Sequence, residues 1–169
     1  PTHWHNGHIS GAGFLKVPST FGKHTQKKDK DYHGGSLQLI NGTRHFMSPS
    51  TVSLTPNQWY TLTYQYDMDK LKLYVDGVLV GENDIVNDGP IDNCIGGALK
   101  FGKNWNGGPN FYNGKLDNVQ FWNYDLSASE IQTYSSYNPF GNEAGLVGYW
   151  DFSEGSGNTI TDLSGNGNN

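Results

Sequence analysis

The strongest constraint on the fold is the alternation of apolar and polar side chains in residues 59–66, 71–75 and 78–80. Successive side chains of a β-strand point to opposite faces of a sheet, so this period of two predicts strands. Asp76-Gly77 lies between the last two segments, and Asp-Gly is a favoured pair for tight hairpin turns. We therefore predict three consecutive antiparallel strands over residues 59–80.

The same pattern predicts strands elsewhere, and Asn41-Gly42 between two of them is a strong hairpin signal. These further predicted strands lie at residues 9–17, 36–40, 43–47, 95–102, 114–123 and 145–152. One helix is predicted over residues 127–137, because Ser127 and Glu130 have the spacing of a capping box.

Composition agrees with a fold built of strands and turns. Glycine contributes 23 of the 169 residues and aromatic residues 14%, whereas charged residues contribute only 16%. Long-helix proteins are much richer in charge. We predict an all-β fold, an antiparallel two-sheet β-sandwich of the jelly-roll kind, with one short α-helix near residues 127–137.

Charge and hydropathy exclude several classes of partner. The net charge of −5 weighs against duplex nucleic acid, whose binding needs a basic face. No apolar run approaches the ~18 residues of a membrane-spanning helix, so no membrane span is expected. The single cysteine, Cys94, excludes an internal disulfide framework and a four-cysteine zinc site.

Four motifs in a fixed order resemble the laminin-G-like branch of the concanavalin A-like jelly rolls. They are NQWY at residues 57–60, LKLYVDG at 71–77, GKLDNV at 114–119 and LSASEI at 126–131. The resemblance covers residues 36–137 and implies a lectin- or glucanase-type jelly roll, as in LamG-type repeats of bacterial surface proteins. It constrains function weakly, because this fold serves lectins, adhesins, glycanases and spacers.

The C-terminal segment leaves the domain organisation open. Residues 145–152, GLVGYWDF, resemble the segment that usually opens such a domain, although here they follow the helix. We expect residues 1–140 to form the jelly-roll domain without its usual first strands. Residues 141–169 then either begin a following repeat or pack back on the same domain as an outer strand.

A catalytic role is not expected. Glycanases of this fold carry paired carboxylates at alternate strand positions, and a retaining pair needs a separation of about 5–5.5 Å. Asp67 and Asp69 are two residues apart, as alternate strand positions require, but they fall in a predicted turn. The sequence also has no serine nucleophile motif.

Calcium is the cofactor that the resemblance implies, because jelly rolls of this kind often hold one such ion. Asp117 occupies the matching position of the GKLD motif, and Asp88 and Asp92 lie in a loop whose carbonyls could also bind calcium. Asp151 and Asp162 are further candidates in the tail. The alternative is that these residues only form turns through hydrogen bonds to their own backbone.

Carbohydrate binding needs a flat aromatic ring and nearby amides. The loop at residues 103–112, KNWNGGPNFY, has that composition. Its candidate ligand-binding residues, together with an N-terminal tryptophan, are Trp105, Asn104, Asn106, Tyr112 and Trp4. The alternative for Trp105 is that it folds over the edge of the sandwich. The tryptophans within strand patterns, Trp59, Trp122 and Trp150, are predicted to lie in the core.

The sequence therefore predicts a non-catalytic recognition module of a secreted or cell-surface protein, with a glycan or matrix glycoprotein as its partner. The alternative is a structural spacer repeat of a large adhesin or filament with no ligand of its own. Strand edges at residues 1–20 and 145–169 are expected to be exposed and able to pair with a neighbouring repeat or another copy of the chain.

Overall fold

The structure is a computed structural model. It describes the backbone of residues 11–18, 37–40 and 43–46, and the backbone and side chains of residues 54–55, 58–84 and 115–169. Its elements in chain order are β1 (Gly11–Pro18), β2 (Leu37–Ile40), β3 (Thr43–Phe46), β4 (Trp59–Tyr66), β5 (Lys70–Val75), β6 (Val78–Asp84), β7 (Asp117–Trp122), α1 (Ala128–Ser136) and β8 (Leu146–Trp150). The strand predicted at residues 95–102 lies outside the described residues.

The strands form two antiparallel sheets. The larger sheet has the order β6-β5-β4-β1-β7-β8, and the second sheet is the hairpin β2-β3. Ile40 pairs with Thr43, which confirms the hairpin predicted around Asn41-Gly42. The all-β sandwich prediction is confirmed, with one short helix among the described residues. None of those residues belongs to a helix long and apolar enough to cross a membrane.

The turn between β5 and β6 takes the predicted hairpin geometry. Asp76 and Gly77 have φ angles of 49° and 79°, as a type I′ turn requires. The Thr61 N–H donates to Asp76 Oδ1 at 2.8 Å, and the Asp76 N–H donates to the Thr61 carbonyl at 2.8 Å. These two bonds fasten the turn to β4.

Strand β1 occupies the middle of the larger sheet. It pairs with β4 from Gly11 opposite Tyr66 to Pro18 opposite Trp59, and with β7 on its other side. The expectation of an exposed strand edge within residues 1–20 is therefore wrong for β1, because both of its edges have a partner.

The alternation in β4 separates two faces. Tyr60, Leu62 and Tyr66 are buried on one face, where Leu71 and Leu73 of β5 belong to the same apolar layer. Burial of each large apolar side chain contributes about 1.5–3 kcal/mol. This layer accounts for much of the sheet's stability.

The helix packs through a single fully buried residue. Ser127 is its N-cap, and the Ser127 and Glu130 side chains each bond the other's backbone N–H, which confirms the predicted capping box. Ile131 is fully buried in a cluster with Trp122, Leu126 and three other buried residues, Tyr74, Leu146 and Tyr149. The helix therefore lies on a face of the larger sheet, where the Thr61 hydroxyl of β4 donates to the Ser135 carbonyl at 3.1 Å.

The three strand tryptophans differ in burial. Trp122 and Trp150 are buried, as predicted, whereas Trp59 is 43% exposed and the core prediction for it is wrong. Trp59 is the first residue of β4 and lies on the face opposite Tyr60 and Leu62. The predicted alternation of β4 is correct, but Trp59 lies at the first position of the strand, on the face opposite Tyr60.

Strand β8 forms one edge of the larger sheet. It pairs with β7 from Trp150 opposite Val119 to Leu146 opposite Trp122. After it, residues 151–169 contain one buried residue, Asp162. The division into a jelly-roll domain at residues 1–140 and a segment at residues 141–169, which either begins a following repeat or packs back as an outer strand, stays a prediction.

Candidate functional site

Most residues predicted for the site lie outside the described part of the chain. They are the ligand-binding candidates Trp4, Asn104, Trp105, Asn106 and Tyr112, and the metal-binding candidates Asp88 and Asp92. Their roles stay predictions. Of the predicted calcium ligands, the structure describes Asp117 and the tail candidates Asp151 and Asp162.

Asp117 begins β7 and lies beside a polar corner. The register between β1 and β7 shifts next to it, where Asn118 takes a φ of 51°. The Tyr149 hydroxyl donates to Asn118 Oδ1 at 3.1 Å. Burial raises the pKa of Tyr149 to about 12, and the carboxylates of Asp151 and Asp117 add to that rise.

A calcium ion at this corner would need ligands besides Asp117. Calcium takes six to eight oxygen ligands. Within residues 54–55, 58–84 and 115–169, no three histidine, cysteine, aspartate or glutamate side chains gather closely enough to share a metal ion. The calcium role of Asp117 stays a prediction.

The Asp162 carboxylate accepts hydrogen bonds from the backbone and amide groups around it. Its Oδ1 accepts the Tyr149 and Ser164 N–H groups at 3.0 and 2.9 Å, and its Oδ2 accepts the N–H and side-chain amide of Asn168 at 3.0 and 2.9 Å. A carboxylate has about four acceptor sites. Asp162 is therefore saturated, which contradicts its candidacy as a calcium ligand.

An open cleft lies between the loop after the helix and the C-terminal tail. It has a cavity volume of about 520 Å³, within the usual range for small-ligand sites. Three separate parts of the chain contribute to it, and amide and glycine residues predominate. The lining residues are Asn123, Gly141, Asn142, Glu143, Gly145, Leu146, Val147, Ser164, Asn166 and Asn168.

Glu143 and Gly141 shape one wall of the cleft. The Glu143 carboxylate accepts the backbone N–H groups of Phe140 and Gly141 at 2.6 and 3.0 Å. Gly141 has a φ of 97°, and a Cβ there would collide with the carbonyl oxygen of Leu163. The loop therefore lies directly against the tail, and this contact requires glycine.

Two amides of the cleft are available to a ligand. The side chains of Asn123 and Asn142 make no hydrogen bond within the part of the chain that the structure describes, whereas those of Asn166 and Asn168 bond the backbone of β8. An amide group both donates and accepts hydrogen bonds. Asn142 is exposed as well, so it can reach a polar ligand without breaking an existing bond.

Phe140 is an aromatic residue that adjoins the cleft in sequence and is not among the residues that line it. Its side chain is 95% exposed, and it directly precedes Gly141 and Asn142 in the chain. Sequence analysis missed Phe140 as a site residue. The available signal was an aromatic residue inside the turn-forming segment NPFGN at residues 138–142, the same kind of signal that marked Trp105.

Solved structures similar to this chain share its fold. A candidate carbohydrate binding protein from Bacteroides ovatus has a TM-score of 0.63 and 17% identity, over 94% of this chain and 50% of that one. The heptameric SAP-like pentraxin from Limulus polyphemus has a TM-score of 0.51 and 13% identity, over 91% and 79%. The chain thus spans about half the length of the Bacteroides protein. No curated protein sequence matches it.

The family model Laminin_G_3 matches residues 28–132. That range includes the hairpins, strand β7 and the start of the helix, and it confirms the laminin-G-like resemblance of the sequence motifs. Because the match covers more than half of the chain, the chain belongs to the concanavalin A-like lectin/glucanases superfamily.

Proposed function

We propose that this chain is a non-catalytic carbohydrate-recognition module of a secreted or cell-surface protein, with a glycan or a matrix glycoprotein as its partner. The observation that carries the proposal is the amide-lined cleft of about 520 Å³, whose lining residue Gly141 directly follows the exposed Phe140 in the chain. Membership of the lectin/glucanase superfamily supports it.

The chemistry of the cleft fits a neutral, hydroxyl-rich ligand. Sugar hydroxyls donate and accept hydrogen bonds, as the free amides of Asn123 and Asn142 do. The apolar face of a pyranose ring can lie on an exposed aromatic ring such as Phe140. Such a ligand needs no charged partner, and none is free for it in the lining.

The same geometry argues against hydrolysis in this cleft. Glu143 is the one carboxylate among the described residues that line it. Both of its oxygens already accept backbone N–H groups of Phe140 and Gly141. A glycanase needs two carboxylates free to act on the glycosidic bond. Glu143 therefore serves to hold the loop.

Calcium and the loop at residues 103–112 form the other part of the proposal. Asp117 with Asp88 and Asp92 would hold the ion, and Trp105, flanked by Asn104 and Asn106, would give a second aromatic surface. Tyr112 and Trp4 are further candidate contacts for the carbohydrate ligand. Strand β8 completes the sheet of its own chain, which favours recognition over the alternative of a spacer repeat.

A glycan-array screen of the chain in calcium, repeated with EDTA, tests the function. Phe140→Ala should remove most of the binding, and Trp105→Ala should do so if that loop shares the ligand. Tyr137→Ala is the matched control, because Tyr137 is an exposed aromatic at the C-cap of the helix, three residues farther along the chain from the cleft than Phe140. Loss of binding in EDTA would support the calcium part. A verified folded chain that binds no glycan would refute recognition and favour the spacer.

A further inference from the structure

The outer edge of strand β8 is hydrogen-bonded by the chain's own tail. Tyr149 donates its N–H to Asp162 Oδ1 at 3.0 Å, and its carbonyl accepts the Leu163 N–H at 2.7 Å. The Val147 carbonyl accepts from the side chains of Ser164, Asn166 and Asn168 at 3.1, 3.2 and 2.9 Å. These are the backbone groups of β8 that face away from β7.

The tail satisfies this edge without forming a strand. Only the Leu163 N–H is a backbone partner; the other partners are side-chain groups that replace the N–H and C=O groups of a neighbouring strand. Edge strands with free backbone groups are templates for pairing with another chain. Residues 161–169 thus act as an edge cap, the name used below for this segment.

The edge cap is held by polar contacts around one buried side chain. Asp162 is 6% exposed, and it is the single buried residue in residues 151–169. Leu163, the large apolar residue of the cap, is 40% exposed. With little apolar burial to hold it, the cap depends on the hydrogen bonds of Asp162.

The strand under the cap is suited to pair with the same strand of a second copy. Residues 146–150, LVGYW, carry no charge and include β-branched and aromatic side chains. Charged residues and prolines are common protections of edge strands, and β8 has neither. Two β8 strands related by a two-fold axis would pair antiparallel, each supplying the groups that the other lacks.

We infer that the edge cap at residues 161–169 blocks strand β8, and that its release lets β8 pair with β8 of a second copy of this chain. The inference does not rest on the proposed carbohydrate recognition, although release of the cap would also remove Ser164, Asn166 and Asn168 from the cleft lining. It identifies a concealed interaction surface and assigns its control to Asp162.

Asp162→Asn tests the inference in the full chain. An asparagine would place an NH2 group where one carboxylate oxygen now accepts hydrogen bonds from N–H groups. Those bonds would be lost, so the cap should detach. Asp151→Asn is the matched control. Asp151 accepts a hydrogen bond from the Ser153 N–H and none from the edge cap, and the oxygen of an asparagine amide can still accept that bond. Deletion of residues 161–169 provides a second variant, and a synthetic peptide of residues 159–169 can be added back to it.

Two measurements are needed, light scattering after size-exclusion chromatography and amide hydrogen exchange at Tyr149. We expect wild type and Asp151→Asn to be monomers. Asp162→Asn and the deletion should dimerise with rising concentration, and the peptide should restore the monomer. At low concentration the Tyr149 amide should exchange at least about tenfold faster in both variants than in wild type.

Three results would overturn the inference. Folded variants with a fast-exchanging Tyr149 that remain monomers at every concentration would refute the pairing. A Tyr149 amide that stays protected in the monomeric deletion variant would refute the cap. Unfolding of both variants, judged by near-ultraviolet circular dichroism, would show that the tail is part of the cooperative core and not a cap.

Discussion

At the residue scale, Trp122 connects the sheet to the helix. Its side chain is 1% exposed, its ring centroid lies 4.6 Å from that of Tyr134, and its Nε1–H donates to Gln120 Oε1 at 3.3 Å. The indole thus has a polar partner while its ring fills the space beneath α1. A smaller residue would leave a cavity that the rigid sheet cannot close.

Replacing Trp122 with alanine should lower the free energy of unfolding by about 3–5 kcal/mol, the usual cost of removing a buried aromatic side chain. Phe121→Ala is the control, because Phe121 is the neighbouring β7 aromatic and is 37% exposed. Urea denaturation followed by circular dichroism measures both. Equal costs for the two variants would contradict the burial of Trp122.

Asp162 should make stability depend on pH in the acid range. Burial alone would raise its pKa, but hydrogen bonds from Ser164, Tyr149 and Asn168 outweigh that effect and lower the pKa of Asp162 below its ordinary value. Because the folded pKa is depressed, the stabilisation is present above the unfolded pKa of about 3.9 and is lost as the pH falls through the folded pKa.

Asp162→Asn should therefore be less stable than wild type by about 1–3 kcal/mol at neutral pH. The difference should shrink as the pH is lowered below about 4. Urea midpoints of both proteins across the acid range measure it. A difference that stays constant with pH would show that the Asp162 carboxylate is not responsible.

Burial of single residues was only partly predictable. Trp122 of β7 and Trp150 of β8 are buried, as their strand patterns predicted. The period-two pattern of β4 correctly identified two faces. It could not show that Trp59, at the first position of its strand, is 43% exposed. Nor could the sequence show that four donors would converge on Asp162.

At the element scale, helix α1 depends on its N-terminal cap. The Glu130 N–H donates to Ser127 Oγ at 3.3 Å, and the Ser127 N–H donates to Glu130 Oε2 at 2.7 Å. Hydrogen bonds from the side chain and backbone of Ser127 lower the pKa of Glu130 below its ordinary value. The cap satisfies donors that a short helix would otherwise leave open.

Ser127→Ala should cost about 1 kcal/mol of stability, as is typical of a lost N-cap side chain. Ser136→Ala, at the exposed C-terminal end of the same helix, is the control and should change stability little. Urea denaturation again measures the difference. A Ser127 variant as stable as the Ser136 variant would show that the capping box contributes nothing.

The secondary-structure elements were more predictable than the strands with which they pair. The helix was predicted at residues 127–137 because a capping box is a local signal, and it is observed at Ala128–Ser136. The hairpins followed from local turn residues in the same way. The central position of β1 did not, because it depends on pairing with β4 and β7, more than 40 and 100 residues away along the chain.

At the scale of the whole molecule, the cleft joins parts of the chain that are distant in sequence. Asn123 follows β7, Asn142 follows the helix, and Asn166 belongs to the tail. Each is an ordinary polar loop residue in the sequence. Only the folding of β8 and the tail against β7 brings them together, so no local pattern could have predicted the site.

If the cleft binds carbohydrate, Asn142→Ala should weaken the binding about 2- to 10-fold, the equivalent of one lost hydrogen bond. Asn138→Ala is the matched control, because Asn138 is an exposed asparagine on the same loop but outside the cleft. Isothermal titration calorimetry with a glycan found on the array measures both affinities. Equal affinities for the two variants would exclude Asn142 from the site.

The most direct test of carbohydrate recognition at this cleft is nuclear magnetic resonance of the isotope-labelled chain during titration with that glycan. We predict the largest amide shift changes at the cleft residues Gly141, Asn142 and Gly145, with broadening of the Phe140 ring signals. Shift changes confined to residues elsewhere in the chain, with the cleft signals unmoved at saturation, would contradict recognition at this site.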